Sequence, residues 1–556
     1  MVDPKHPHHS REITPNPCAE TPHKIIPIAA LVLIWIVTRI VPALHCDFWT
    51  QWDIFQARKL CEYGFLSRAG ALTSPPVMAG LLPFPSVFNY SNHPYGMVWI
   101  YTAVYAVGGA GLCLALALGI KLSSSLAGYF FLKRFFAPKA AWLASALAII
   151  APAAVIMDLE SNIIGIAAAF WPFAALLVMA HREGRVRALW LGVVVFVGGQ
   201  VDWMFLTLIP ALIWLALPAI PRWRQIPAAV FEDPGARAIS IGAILTSLLF
   251  TTQLLVYTPD LWTALNYVHM QTGSGSSESS RLRMAVAVVF RNVFFVGLAL
   301  SLGVAVGLFT KTVNATIQRF IQATMIYFAG MCVVELALLR FCFVEPSPYI
   351  YMVFPAAIVT AHLLSTIRSR LLIGGLLASA IPFLGYVTIR CAVPRITEAS
   401  SALAPAFARS TNSNELVLTN LRPNQAPFPS WDAAGPGMVS VVSDRLTVFD
   451  VSAIGKAQDC KRAVGGNFAL TAFIYCPDQP ISPDLLAAIK VGGDLVRREE
   501  ITPRAQPFTL AARLRLAIWT LTGRYTQRAA NDGDVPASVT LEAYRLREGW
   551  LGDHGK

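Results

Sequence analysis

Charge is scarce in this chain: Asp, Glu, Lys and Arg make up 14% of its 556 residues, against roughly 25% in an average soluble domain. That shortage excludes a disordered chain, a coiled coil and an ordinary cytosolic enzyme. Cysteine is also sparse. Nine in 556 residues, with no CxxC and no Cys/His cluster, exclude a disulfide scaffold and a structural zinc site. Cys46 with Cys61, and Cys460 with Cys476, are the pairs that an oxidising compartment would allow. No internal repeat is found, which argues against an inverted-repeat transporter. The N-terminus has basic residues but no small-residue cleavage site after its first apolar run, so that run is read as a retained helix.

What is present is apolar sequence. The composition is 55% hydrophobic with a mean hydropathy of +0.55. Apolar runs of about 20 residues, the length that spans a bilayer, recur from Ile25 to about Arg390. The expected architecture is a polytopic α-helical membrane protein with a C-terminal soluble α/β domain. It divides into a tail (1–24), a membrane domain (25–390) with a first external loop at 46–110, and an external domain (391–556). The net charge of +12 follows the positive-inside rule and implies no nucleic acid.

Charge sets the expected topology. Lys133-Arg134, His181-Arg182, Arg222–Arg224, Lys311–Arg319 and Arg368–Arg370 lie between apolar runs and read as cytoplasmic. The segments around Asp47–Tyr95, Asp158–Glu160, Gln200–Asp202, Pro259–Arg283 and Glu345–Pro348 read as external. Tyr95 to Gly109 is aromatic but, at about 15 residues, rises only about 23 Å; it is too short to cross and reads as interfacial. The count is then about eleven spans, near 25–45, 113–134, 139–157, 162–180, 187–201, 203–220, 237–257, 286–310, 319–343, 349–367 and 371–390, N-terminus in and C-terminus out. In the tail, strand-like runs at 415–419, 438–442, 446–451, 469–475 and 538–544 and a helical pattern at 483–490 predict the α/β domain.

Acids gathered at the outer surface are the chief chemical signal. A helix over 52–63, lying on the membrane, would hold Asp53 near its start, where the helix dipole favours a carboxylate. Trp49-Thr-Gln51-Trp-Asp53-Ile-Phe-Gln-Ala57-Arg58 resembles the W-R-Q-x-D-T-x-x-x-A-R signature of the GT-C glycosyltransferases. These are polyprenyl-phosphate-sugar-dependent enzymes related to protein O-mannosyltransferases and lipid A aminoarabinose transferases. Asn92-His93-Pro94-Tyr95, Gly119-Ile-Lys121-Leu-Ser, Asp158-Leu-Glu160-Ser and Glu345-Pro-Ser-Pro-Tyr349-Ile-Tyr351 resemble further elements of that family, in order. Thr50 stands where the family has Arg, Lys121 where it has Arg, and Glu345 and Ser347 where a His is common.

The resemblance implies a glycosyltransferase, inverting, on the non-cytoplasmic face, with short loops favouring a bacterial inner membrane. It implies a polyprenyl-phosphate sugar donor, a lipid, glycan or protein acceptor, and contact with membrane lipids. Asp53 is the implied base, with Glu160 and Asp158 as second acids. Asp53 and Glu160 are the implied ligands of a divalent cation, Mg²⁺ or Mn²⁺, which prefer oxygen. Trp49, Gln51, Arg58, His93, Lys121, Asp202, Arg281, Arg283, Arg340, Glu345 and Tyr349 complete the candidate substrate site, Lys121 because an ionisable group within a span is costly enough to suggest function. Arg340 with Glu335 also reads as an ion pair. The alternatives are a transporter or lipid flippase, with broken helices and mid-membrane charges, and a non-catalytic scaffold, in which Asp53 is freely replaceable.

Overall fold

A computed structural model describes residues 21–44, 48–63, 77–78, 94–159, 163–218, 223–257, 272, 278–310, 314–344, 347–367, 369–382, 398–413, 415–421, 443–449, 471–501 and 538–547. Its helices, in chain order, are α1 (Thr21–Leu44), α2 (Phe48–Tyr63), α3 (Gly96–Phe135), α4 (Pro138–Ile149), α5 (Pro152–Leu159), α6 (Ile163–Arg182) and α7 (Ala188–Val201), then, after a 3-10 turn (Trp203–Leu208), α8 (Ile209–Ala216), α9 (Ile226–Glu232), α10 (Pro234–Tyr257), α11 (Glu278–Val296), α12 (Leu298–Gly307), α13 (Ala315–Ala337), α14 (Leu339–Val344), α15 (Ile350–Thr366), α16 (Arg370–Ala378), α17 (Glu398–Ser410) and α18 (Pro483–Gly492). The strands are β1 (Val77–Met78), β2 (Leu416–Thr419), β3 (Leu446–Phe449), β4 (Thr471–Tyr475), β5 (Gly493–Ile501) and β6 (Val539–Leu546).

Four helices among the described residues are long and apolar enough to cross a membrane, or five if one bent pair counts as a span. Shorter apolar helices cover Ile26–Arg39, Ala188–Val201, Trp203–Ala216 and Ile350–Thr366, within other runs of the expected set of about eleven. The apolar runs are there, but several are broken. The run at 286–310 is two helices, α11 and α12, bent by 104° at Gly297, whose φ of 94° favours glycine. The run at 139–157 divides into α4 and α5 at Ala151, and 319–343 into α13 and α14 at Leu338. α3 changes direction at Gly109 (φ 66°, ψ −165°), so the aromatic segment before it is set off from the span after it.

Two devices hold the bundle. Close approach is the first: a methyl group on Gly242 of α10 would lie 2.4 Å from the Gly192 carbonyl oxygen of α7, and one on Gly199 would lie 2.6 Å from Thr246 Cγ2. Small residues let helices meet backbone to backbone where lipid gives no hydrophobic drive. The second device is arginine capping of helix ends. Arg39 Nη1 donates to Ile149 O at 2.7 Å, at the end of α4. Arg319 Nε and Nη2 donate to Trp214 O at 3.0 and 2.7 Å, and its other donors reach Leu217 O and Pro218 O beyond α8. Each supplies donors to carbonyls that a helix terminus leaves unpaired.

The sheet runs β1-β3-β2-β4-β6-β5. β1, β3, β2 and β4 are parallel, while β6 and β5 pair antiparallel. α17 seals one face, with Leu403 and Phe407 in one cluster with Val417 and Ile474. The predicted strands at 415–419, 446–451, 469–475 and 538–544 and the helix at 483–490 are all present within a few residues, while 438–442 lies outside the described residues. β1 was not expected. It comes from the first loop and pairs Val77 with Val448 and Met78 with Phe449. A backbone ladder does not run across a bilayer, so the first loop and the C-terminal sheet share one side of the membrane. Cys61 and Cys476, named above as half of two candidate disulfides, are free thiols.

Candidate active site

The site begins on α2, which starts at Phe48, four residues earlier than expected. Asp53 therefore sits in the second turn, beyond the reach of the dipole argument. From Asp53 to Leu60 the helix is buried except for Arg58, because it is enclosed on two sides. Ile54, Ala57 and Leu60 join the apolar core of the bundle. Asp53, 5% exposed, lies within electrostatic range of the buried Tyr101 on α3.

The other side of α2 meets the C-terminal domain. Lys59 is fully buried, and its ammonium reaches Glu62 at 2.6 Å, Asp444 Oδ1 at 3.2 Å and the carbonyls of Ser413 and Asp444 at 3.1 Å each. Arg58 pairs with Asp444 Oδ2 at 2.7 Å and with Glu62 at 2.9 Å. Burial pushes the Asp444 carboxyl above the usual carboxylate range, with Lys59 and Arg58 pulling it back. Asp444 has a positive φ of 58°, and the next residue, Arg445, donates to Thr411 Oγ1 at 2.8 Å and to Ala408 O at 3.0 Å. The turn is thus tied to both α2 and α17. Asp444→Ala is expected to lower stability by on the order of 2 kcal/mol by stripping Lys59 and Arg58 of a charged partner. Lys59→Met, which keeps the volume and leaves Asp444 with Arg58, should cost less; equal losses in thermal unfolding would mean that Lys59 carries the contact alone.

Lys121, mid-way along α3, is 2% exposed and donates to Met157 O at 2.5 Å. It lies on the wall of a cavity of about 80 Å³ between α3, α4, α6 and α15, lined with Ser124, Ser125 and Ser145 among apolar side chains that include Phe354. Gly165 lets α6 approach the Met157 carbonyl that Lys121 holds, since a methyl group there would lie 2.9 Å from that oxygen. Asp202 is fully buried; it caps the 3-10 turn through Met204 N at 3.2 Å and accepts from Tyr351 OH at 2.9 Å. It joins α7 to α15 beside that cavity, whose lining includes Ile350 and Val353.

The remaining predicted residues scatter. Arg281 and Arg283 are exposed on the first turns of α11, and Arg340 is exposed on α14. The expected Arg340–Glu335 pair is absent: both Glu335 oxygens take the Asn292 amide, at 2.9 and 2.8 Å. Tyr349 spends its hydroxyl on Cys342 O at 2.7 Å and stacks on Phe295 at 5.3 Å. Arg291, which sequence reading missed, lies 5.2 Å from the Phe295 ring centre and 5.8 Å from that of Tyr349. His93, Glu160 and Glu345, and the side chains of Trp49, Gln51 and Asp158, lie outside the described residues. Among the described residues no three His, Cys, Asp or Glu side chains gather as a metal site. Glu160, which with Asp53 is the implied ligand of Mg²⁺ or Mn²⁺, lies outside the described residues.

No family model and no curated protein matches the chain. Among solved structures, ArnT from Cupriavidus metallidurans bound to undecaprenyl phosphate is similar at 12% identity and a TM-score of 0.34, over 86% of this chain and 97% of that one. The archaeal oligosaccharyltransferase AglB from Archaeoglobus fulgidus, in complex with an inhibitory peptide and a dolichol-phosphate, is similar at 11% identity and a TM-score of 0.39, over 81% of this chain and 69% of that one. Both are GT-C enzymes. With TM-scores this far below 0.5, no residue role is carried across.

Proposed function

We propose that the protein is an integral-membrane glycosyltransferase that moves a sugar from a polyprenyl-phosphate carrier to an acceptor on the non-cytoplasmic face of a bacterial inner membrane. The observation that carries this reading is the burial of Asp53, at the aspartate of the first-loop motif, on a helix held between the bundle and the C-terminal sheet. The Lys121 cavity supports it: an ammonium at the wall of an apolar space suits the phosphate end of a lipid.

The chemistry is an inverting displacement. Asp53 takes the proton of the acceptor hydroxyl as its oxygen attacks C1 of the sugar. The bond from C1 to the phosphate oxygen breaks as C1 gains oxocarbenium character, and the lipid phosphate leaves with the electron pair. Lys121 balances the charge that develops there. The C-terminal domain, on the same side as the first loop, is available to the acceptor.

A transporter or lipid flippase is the second reading, favoured by the broken pair α11–α12 at Gly297. The test is to reconstitute the purified protein in nanodiscs with undecaprenyl phosphate and to measure lipid retention by mass spectrometry. Retained lipid, together with sugar transfer from undecaprenyl-phosphate sugars, is the expected result. Flipping of the lipid across liposomes without any transfer would overturn the enzyme in favour of the flippase.

A further inference from the structure

Gln56 is the fourth residue of the segment that starts at Asp53, and residues three apart on a helix are neighbours on one face. It is 0% exposed, and neither its amide oxygen nor its amide nitrogen has a hydrogen-bond partner. Buried polar groups in native proteins are nearly always paired, and an unpaired one carries its full desolvation cost. The same helix shows that packing here can satisfy polar atoms, since one turn on Lys59 hydrogen-bonds Glu62 and the carbonyls of Ser413 and Asp444. Other orphaned side chains, such as Gln253, Thr324 and Tyr327, lie on the spanning helices. Gln56 stands apart because it shares a helix with the candidate base outside the spans.

The two orphaned atoms specify what would satisfy them. Nε2 offers hydrogens, and Oε1 needs one. A phosphate dianion is acceptor-only and would leave Oε1 unpaired, while a prenyl chain satisfies neither atom. Two adjacent hydroxyls satisfy both, one accepting from Nε2 and the other donating to Oε1. Mannose, glucose and arabinose donors carry such a pair, whereas a phosphate or a Ser/Thr acceptor does not; a glycan acceptor carries one as well, and comparing bare with sugar-bearing lipid isolates the donor. We infer that Gln56 is a substrate-binding residue that reads a pair of hydroxyls on the donor sugar. This rests on the glycosyltransferase reading above and adds a residue to it.

The test compares the binding of bare undecaprenyl phosphate with that of undecaprenyl-phosphate mannose, glucose and arabinose, in wild type and in Gln56→Leu and Gln56→Met. Wild type is expected to hold at least one sugar-bearing lipid more tightly than the bare one. Both variants should lose about tenfold of that preference, roughly 1.4 kcal/mol. They should bind the bare lipid as wild type does and unfold at no lower temperature, because two orphaned polar atoms have been removed. Retained preference in both variants would overturn the proposal. So would a lower unfolding temperature with equal loss of both kinds of lipid, which is what a structural role gives. A wild type that binds bare lipid without any sugar preference would sink the Gln56 assignment alone. A wild type that binds no undecaprenyl phosphate would remove the glycosyltransferase reading and this inference with it.

Discussion

Asp53→Asn is expected to cut sugar transfer by about 10²-fold or more, the range typical of a lost general base, while the protein still inserts and folds. The substitution keeps the size and the hydrogen-bonding shape of the side chain and removes its charge and basicity. Folding should survive because the neighbours that fix α2, namely Ile54, Ala57, Leu60 and the Lys59–Asp444 contact, are untouched. Undecaprenyl-phosphate sugar should still bind, because the base acts on the acceptor and not on the lipid. The measurement is single-turnover transfer alongside lipid binding and thermal unfolding. Transfer at the wild-type rate in a normally folded Asn variant would remove the catalytic role and favour a scaffold.

Much of the architecture could be read from local pattern because its causes are local. Apolar runs, basic loops and the alternating strands of the tail depend on neighbouring residues. So does the glycine at which the aromatic segment of α3 parts from its span. The breaks were not legible in the same way. Gly297 sits between the apolar stretches Val293–Val296 and Leu298–Leu300, and nothing in those neighbours signals a bend of 104°. β5 (Gly493–Ile501) is a charged edge strand whose side chains face water along most of its length, so it lacks the apolar alternation that marks a strand. β1 is two residues long and is a strand only because β3 lies beside it.

The site divides along the same line. Asp53 stands out in the sequence because its neighbours form a motif. Gln56, within that motif but at none of its characteristic positions, became visible only once its burial and its unpaired amide were known. Lys59 and Asp444 meet across 385 positions of sequence, and no short pattern records such a pair. Lys59 in particular reads as a solvated helix cation next to Arg58, and it is instead the more deeply buried of the two.

Lys121→Met is expected to weaken undecaprenyl phosphate binding by about 10- to 100-fold, or roughly 1.4 to 2.8 kcal/mol, with sugar transfer falling in parallel. An ammonium 2% exposed within a helix bundle is expensive to keep in an apolar setting, and it lies on the cavity wall, where it donates to Met157 O. The cavity beside it is lined mostly by apolar side chains and three serines, a composition that suits a chain ending in an anion better than a free anion in water. Methionine keeps the length and unbranched shape of lysine, so the helix contacts of α3 with α6 and α15 should persist. Two roles then predict opposite things. If Lys121 only ties α3 to the end of α5, the Met variant loses stability and its lipid affinity changes little. If it holds the phosphate, the variant's affinity for the bare lipid falls as much as its affinity for the sugar-bearing one. That equal loss separates Lys121 from Gln56, whose variants should affect the sugar-bearing lipid alone. Normal binding in a stable Met variant would place the lipid phosphate away from this cavity.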